Sequence, residues 1–239
     1  MATRSNIALV PARAGSKRLP DKNVTPLCGK PLVAHAFDVA VESGIFDEIY
    51  VSTDDNRVMG IAQERGVRVV RRPAELCADT VVLDQVVSHF VDHLEQTGTR
   101  HDAVCLMTPT APLRTSGDVK GAVSLLWDRD ADFVVSVVEC EHSPYYALEI
   151  KNGTLRPTFM SDAFSRDRTL LPTLYRPIAT ARVAKWGAVR KHRTTFGPGM
   201  IPYVVDAEHA IDIDTSIDFA LAEILLGRRL RSAGEEDGT

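Results

Sequence analysis

A short, wholly apolar run, Ile7-Ala8-Leu9-Val10, opens directly into a loop that carries Arg13, Lys17, Arg18, Lys22 and Lys30 around Gly15. Apolar residues without a polar alternation are what a central strand covered on both faces requires. Such strands belong to open α/β sheets, which take ligands at the carboxyl ends of their strands. Gly15 lets backbone N–H groups close in on an anion. Five cations against one acid, Asp21, in a chain of net charge −4, point to a polyanionic small molecule. Pro11, Pro20 and Pro26 stiffen the backbone and set this loop apart from an ordinary solvated one. The spacing excludes a P-loop, which ends in Gly-Lys-Ser/Thr, and a Gly-x-Gly-x-x-Gly turn.

A chain of 239 residues, 44% hydrophobic and 25% charged, suits one large α/β domain, here 1–239, with disorder expected only at its end. The acidic balance argues against nucleic acid as a partner. Cys28, Cys77, Cys105 and Cys140 are isolated, with no C-x-x-C spacing, and read as reduced, mostly buried thiols. No apolar run approaches the roughly 18 residues of a membrane span, and no signal-peptide core opens the sequence, so a cytoplasmic protein without a membrane partner is expected.

Pro31 suits the first position of a helix, and Leu32, Val33, Ala36, Phe37 and Ala40 repeat at helical spacing as far as Gly44. Glu48 to Thr53 reads as the next strand, and the Ser-Thr-Asp-Asp that ends it offers oxygens to cap a helix from Asn56 to Arg65. Gly66 stops that helix, and Val67 to Val70 form a third strand. This rhythm is the sequence form of a parallel sheet with helices on its faces. Beyond Arg71-Arg72-Pro73, a helix from Val82 to Gln96 and a strand from Ala103 to Met107 continue it. Pro109 and Pro112 cannot lie in a central strand, so Thr108 to Arg114 is a rigid turn at a strand's carboxyl end. Ser116 caps a helix to Trp127, and Asp132 to Val138 is another apolar strand.

From Glu139 to Pro177 the rhythm fails. Asn152-Gly153 and scattered prolines mark a hairpin-containing excursion, suited to covering a site or pairing subunits. Thr180 to Trp186 and Pro202 to Val205 read as further strands. Ala210 to Asp214 then leads into a final helix with Ile217, Ala220, Leu221, Ile224 and Leu225 on one face, and a polar tail follows Arg231.

In order along the chain stand Pro11-Ala-Arg-Ala-Gly-Ser-Lys-Arg-Leu-Pro-Asp-Lys-Asn23, Gly29-Lys-Pro31, Ser52-Thr-Asp54, Arg72-Pro73, Pro109-Thr-Ala-Pro-Leu-Arg114, His142-Ser-Pro144 and Asp212-Ile-Asp214. Together they resemble the acylneuraminate cytidylyltransferase family, the CTP-dependent enzymes that activate sugar acids, over nearly the whole chain. The first stretch is highly specific, whereas Gly-Lys-Pro and Asp-x-Asp alone are weak. The resemblance implies a Rossmann-like, mostly parallel sheet of the nucleotide-diphospho-sugar transferase type, with helices on both faces. It implies that 139–177 is a sugar-site or dimerisation excursion and that the protein is a homodimer. The implied reaction transfers CMP from CTP to the anomeric hydroxyl of a nonulosonic acid such as sialic acid, releasing pyrophosphate.

By matching positions, the resemblance makes Arg13 and Lys22 the triphosphate-binding cations of catalysis, and Ala12, Gly15, Ser16, Lys17, Asn23 and Arg72 the nucleotide-contacting set. Thr108, Thr110, Arg168 and Tyr175 fall at the sugar, and Asp212 and Asp214 are the carboxylates that hold magnesium. Elementary chemistry agrees, because attack on an α-phosphate requires in-line positioning and neutralisation of a pyrophosphate leaving group. Magnesium takes one or two carboxylates plus phosphate oxygens. In Asp212-Ile213-Asp214 both acids share one face of an extended segment, with Ile213 turned to the core. Asp214 also stands where a helix N-cap belongs. His142 could pack in a core, Arg114 could be an ordinary charge near a helix start, and Trp127 and Trp186 read as core rather than as stacking platforms.

Departures from the family pattern are specific. Thr108 stands where relatives acting on sialic acid commonly carry Gln, and cannot offer an amide. Val81-Val82-Leu83 replaces a usual Ser or Thr, so a hydroxyl contact to the cytidine is missing. Ile178-Ala179-Thr180 replaces the Asn-Gly-Ala that typically follows Tyr175-Arg176-Pro177. Lys22-Asn23 differs from the Lys-Pro of relatives that activate the eight-carbon acid Kdo, which favours a nine-carbon acid, sialic, legionaminic, pseudaminic or a variant, over a CMP-Kdo synthetase. Two other readings compete. A metal-dependent glycosyltransferase could use Asp212-Ile-Asp214, but a nucleoside-diphosphate sugar needs fewer cations than this loop carries. A non-catalytic nucleotide-binding module would explain the departures but would leave Arg13, Lys22, Asp212 and Asp214 without purpose.

Overall fold

The computed structural model describes residues 4–159, 163–165 and 167–236, apart from the side chains of Ala163, Arg168 and residues 233–236. In chain order the strands are β1 (Asn6–Pro11), β2 (Pro26–Leu27), β3 (Lys30–Pro31), β4 (Glu48–Thr53), β5 (Arg68–Arg71), β6 (Ala103–Leu106), β7 (Phe133–Glu139), β8 (Leu148–Lys151), β9 (Thr154–Pro157), β10 (Tyr175–Lys185) and β11 (Ile201–Val204). The helices are α1 (Leu32–Ser43), α2 (Asn56–Gln63), α3 (Leu83–Gln96), α4 (Ser116–Asp128), α5 (Trp186–His192) and α6 (Ser216–Glu236).

Alternation along β1 decides the layers. Ala8 and Val10 join Val33 and Phe37 of α1, Val58 of α2 and Leu126 of α4 in one core cluster. Ile7 and Leu9 join Phe90 and Val91 of α3 and Val189 of α5 in another. The sheet therefore carries helices on both faces, and β1 has no solvent side. Seven strands run in the order β11-β7-β10-β6-β1-β4-β5, and all of their pairings are parallel except those of β10 with β6 and β7. The chain proceeds outward from β1 to β4 and β5, then crosses back through α3 to β6 on β1's other side. The carboxyl ends of β1 and β6 thus flank a topological switch point. α6 closes a third cluster there, in which Ala222 and Leu226 meet Leu27, Leu113 and Ile213.

The expected elements are present, with differences in extent, capping and burial; α6, for one, runs to Glu236, past the start of the expected polar tail at Arg231. β10 begins at Tyr175 rather than Thr180, and its register with β7 shifts between Pro177 and Arg182. Trp186 opens the helix α5, which has too few residues for a helical period to declare itself and buries only Trp186, Ala188 and Val189. α4 is capped by Thr115, not Ser116: Thr115 Oγ1 accepts from Asp118 N at 3.1 Å and Asp118 Oδ2 accepts from Thr115 N at 2.8 Å, a reciprocal box. Of the four free cysteines only Cys105, inside β6, is buried; Cys28, Cys77 and Cys140 lie on connections and are half-buried.

Within the excursion, β8 and β9 form an antiparallel hairpin whose turn residues Asn152 and Gly153 have φ of 52° and 75°, as the Asn-Gly pair requires. His142 is exposed rather than packed in a core. Among the described residues no helix is long and apolar enough to cross a membrane.

Thr194 and Thr195, just after α5, hold the head of α3: Thr194 Oγ1 donates to Asp84 Oδ2 at 2.6 Å and Thr195 N to Asp84 Oδ1 at 3.0 Å. Two residues on, Gly197 lies flat against the fully buried ring of Phe133, so that an added Cβ would overlap its Cε2 and Cζ. Gly197→Ala is therefore expected to destabilise the protein by about 1–3 kcal/mol through overpacking. Urea unfolding checks this, and an unchanged midpoint would mean that the ring has room to move.

Candidate active site

The basic loop leaves β1 at the switch point, and its shape is fixed by bonds to neighbouring strands. Ala12 N donates to Ser52 O at 3.0 Å, Ala14 N to Asp54 Oδ1 at 2.7 Å, and Asn23 Nδ2 back to Arg13 O at 2.9 Å. Gly15, at φ 68°, turns the chain between them. The result is a cleft of about 230 Å³ lined on one side by Pro11, Arg13, Ser16, Lys22 and Asn23 and on another by Thr108, Pro109 and Thr110. Arg72 joins them, and Leu76, Ala78, Val81, Leu83 and Val86 form an apolar wall. A larger, open hollow of about 1090 Å³ lies at the opposite end of the strands around Trp127, Lys185 and Trp186, away from the basic loop.

The cations differ in how they are held. Lys22 is nearly buried; its Nζ donates to Ile213 O at 2.7 Å and stands 4.0 Å from Asp214. Burial pushes its pKa below the ordinary lysine range, and Asp214 and Asp212 oppose that shift. Arg72, only 5% exposed, donates from Nη2 to Ser52 O at 2.8 Å and from Nε to Ser52 Oγ at 3.2 Å, and burial lowers its pKa as well. Arg13 spends its donors on Gly15 O, Cys77 O and the carboxylate of Asp79. Lys17 is exposed and pairs with the same carboxylate.

On the β6 side, Thr108 Oγ1 lies 3.0 Å from Thr110 Oγ1 and donates to Ala179 O at 3.3 Å. Behind them Arg114 is fully buried, not an ordinary surface charge. Its Nε donates to Ala111 O at 2.9 Å and its Nη2 to Thr108 O, so it braces the proline turn from inside. Burial pushes its pKa down to about 10.

Asp212 and Asp214 flank Ile213, which is buried in the third cluster while both acids are exposed. Ile213 N donates to Thr110 O at 2.8 Å, which stitches this segment to the turn after β6. Asp214 does not cap α6: Thr215 Oγ1 accepts from Asp218 N at 3.3 Å and Asp218 Oδ2 from Thr215 N at 2.7 Å. Asp214 instead pairs with Arg18 at 3.0 Å. Among the described residues no three His, Cys, Asp or Glu side chains group to hold a metal by themselves. A pair of exposed carboxylates beside a basic cleft fits a hard cation that completes its shell with ligand oxygens.

A cleft with cations at one end, an apolar wall and a carboxylate pair at its rim can seat a nucleotide polyphosphate. The family model described as Cytidylyltransferase matches residues 7–152, more than half of the chain. The chain belongs to that family. Among curated relatives, N-acylneuraminate cytidylyltransferase of Streptococcus agalactiae serotype III (strain NEM316) is 34% identical over 216 residues, 89% of this chain and 51% of that protein. The chain therefore spans about half the length of that relative. CMP-N,N'-diacetyllegionaminic acid synthase of Legionella pneumophila subsp. pneumophila (strain Philadelphia 1) is 29% identical over 225 residues, 92% of this chain and 95% of that one. Among solved structures, CMP:2-keto-3-deoxy-manno-octonic acid synthetase complexed with CTP shares the fold, with a TM-score of 0.69 at 16% identity over 94% of this chain and 99% of its own.

Of the site residues expected from sequence, the chain brings Ala12, Arg13, Gly15, Ser16, Lys17, Lys22, Asn23, Arg72, Thr108, Thr110, Asp212 and Asp214 together around the switch point. Tyr175 stands exposed at the head of β10 and does not line the cleft. Arg168 opens a short 3-10 turn, Arg168–Leu170, and its side chain lies outside the described residues. Two participants were not singled out from sequence: Asp79, which carries no pattern of its own, and Asp54, whose motif was visible but whose bond to Ala14 N was not. Asp54→Ala is expected to cost roughly 1.5–3 kcal/mol, the worth of a charge-assisted bond, while Asp54→Asn keeps an acceptor and most of that stability. Urea unfolding of the two variants checks this; equal midpoints would show that Asp54 does not hold the loop.

Proposed function

We propose that the protein transfers CMP from CTP to the anomeric hydroxyl of a nonulosonic acid and releases pyrophosphate. The observation that carries this reading is the convergence of Arg13, Lys22 and Arg72 on one cleft that also has an apolar wall, with Lys17 beside Arg13 on the carboxylate of Asp79 and Asp214 4.0 Å from Lys22. Three cations in the cleft, with Lys17 beside them, suit a triphosphate better than the diphosphate of a sugar donor, which disfavours a glycosyltransferase. A bound magnesium ion, held by Asp212 and Asp214, would draw charge from the phosphate oxygens. Arg13 and Lys22 neutralise the charge that develops on the leaving pyrophosphate. The base lies against Leu76, Val81 and Leu83, and Thr108 and Thr110 offer hydroxyls toward the sugar acid, with Arg168 and Tyr175 assigned to it through the resemblance alone.

Relatives named for acylneuraminate and legionaminic acid support a nine-carbon acid, and the Asn after Lys22 favours it over the Kdo-type reading. A homodimer through the excursion is part of the proposal, supported by the exposed apolar side chains Ile150, Leu155, Phe159, Phe164 and Leu170. The reading also makes the protein cytoplasmic, where CTP is available.

Pyrophosphate release with magnesium and CTP, measured against a panel of nonulosonic acids and Kdo with UTP and ATP as controls, tests the reaction. Release with CTP and a nine-carbon acid is expected; CTP binding with no release across the panel would favour a non-catalytic module. Arg13→Ala should lower kcat roughly 100-fold while changing CMP affinity little, because CMP lacks the phosphates that Arg13 meets. Asp212→Asn should lose magnesium-dependent turnover to at least the same degree with the fold intact by circular dichroism. Sedimentation at micromolar concentration should show a dimer, and a monomer would remove that part of the proposal.

A further inference from the structure

Arg13 and Lys17 are already engaged by an anion of the chain itself. Arg13 Nη2 lies 2.5 Å from Asp79 Oδ1, and Lys17 Nζ lies 2.5 Å from Asp79 Oδ2. One carboxylate spans two cations with a separate oxygen for each, as a phosphate group does when it bridges two basic side chains. Lys17 and Arg13 together hold the Asp79 carboxyl below its ordinary pKa range, so it is an anion wherever the enzyme is folded and working. Arg13 Nη1 adds a bond to Cys77 O at 3.3 Å, so the whole segment from Cys77 to Asp79 is clasped onto the phosphate loop.

That segment is also part of the cleft. Leu76, Ala78 and Val81 belong to the apolar wall, and Asp79 sits among them on the connection between β5 and α3. The Asp79 side chain is 35% exposed, and Lys17 is 81% exposed. Ion pairs this open to water are weak, which makes the carboxylate displaceable by a ligand of higher charge. They still bias the cations toward the chain's own acid, and a ligand that needs those cations binds with its affinity reduced by the fraction of molecules in which they are taken.

We propose that Asp79 is an internal stand-in for the pyrophosphate portion of the nucleotide, and that it sets the selectivity of the cleft between ligands with and without β- and γ-phosphates. A triphosphate displaces Asp79 from Arg13 and Lys17. After transfer, Asp79 competes with the leaving pyrophosphate for the same two cations and hastens its departure. CMP and a CMP-sugar, which have no β- or γ-phosphate, leave the Asp79 bridge in place. This inference rests on the cytidylyltransferase reading proposed above and assigns to it a specificity-determining residue that makes no contact with the bound triphosphate.

The test compares wild type, Asp79→Asn and Asp79→Glu by isothermal titration with CTP, inorganic pyrophosphate and CMP, in magnesium at fixed ionic strength. Asp79→Asn should bind CTP and pyrophosphate about 3- to 10-fold more tightly, with CMP affinity unchanged within 2-fold, and Asp79→Glu should behave as wild type. The gain should shrink as salt is raised, because exposed charges are screened. Unchanged or weaker CTP and pyrophosphate binding in Asp79→Asn overturns the proposal, as does equal tightening of CMP, which would assign the effect to the segment as a whole. Wild type that binds CTP with no difference in the variant sinks the role of Asp79 alone. Wild type that binds neither CTP nor pyrophosphate overturns both this inference and the functional reading beneath it.

Discussion

Ile7 and Leu9 point into one layer and Ala8 and Val10 into the other, so β1 has no solvent face and its backbone can become polar only where it leaves the sheet. The site is built on that exit. The strand order sends the chain to one side of β1 first and to the other side afterwards, which leaves a crevice between the carboxyl ends of β1 and β6 that no crossover helix fills. Arg13 and Asn23 come from the first end, Thr108 and Thr110 from the second, and Arg72 from the end of β5 two strands away. Helix α6 then carries Asp212 and Asp214 into the same neighbourhood by anchoring Ile213 between them.

Within the crevice the protein supplies partners for its own cations. Arg72 is satisfied by Ser52, Lys22 by Ile213 O, and Arg13 and Lys17 by Asp79. A cleft of uncompensated cations would repel itself and cost stability, since like charges in partly desolvated surroundings oppose one another. The compensation is graded. Arg72, bonded to neutral oxygens, keeps its charge for an incoming anion, whereas Lys22, bonded to Ile213 O, also has Asp214 4.0 Å away. Arg13 and Lys17, bonded to a carboxylate, give theirs up only in exchange.

The layer order, the basic loop, the proline turn and the Asp-x-Asp segment were legible in the sequence, because each follows from a local rule: unbroken apolar runs, positive charge around a glycine, prolines that cannot sit in a sheet, and alternation about Ile213. What stayed illegible depends on which chains of the fold meet. Nothing local distinguishes Arg114 from any charge near a helix start, yet its neighbours after β6 bury it completely and turn it into a brace for two carbonyls. Asp79 has no periodicity and no motif of its own, and only the return of the β5–α3 connection over the basic loop gives it two cations. The antiparallel direction of β10 was likewise unreadable, because a strand's residues do not encode the direction of its neighbours, and the long irregular excursion before it hides the reversal.

Asp212 acts on cations of both the crevice and the interior. Its charge raises the pKa values of Lys22, Arg114 and Arg182, each of which burial lowers. It makes no direct hydrogen bond or ion pair among the described residues. It is one of several groups that favour the charge of these three cations, after Asp214 at Lys22 and Asp84 at Arg182, and its oxygens remain available. A divalent cation arriving alone at those oxygens would weaken that support and meet the positive charge of Lys22. One arriving with a triphosphate brings more negative charge than positive, so the balance around Lys22 is kept. On the proposed reading, metal and nucleotide thus belong to one binding event, because the carboxylates that would hold the metal, Asp212 and Asp214, are the acids that face Lys22.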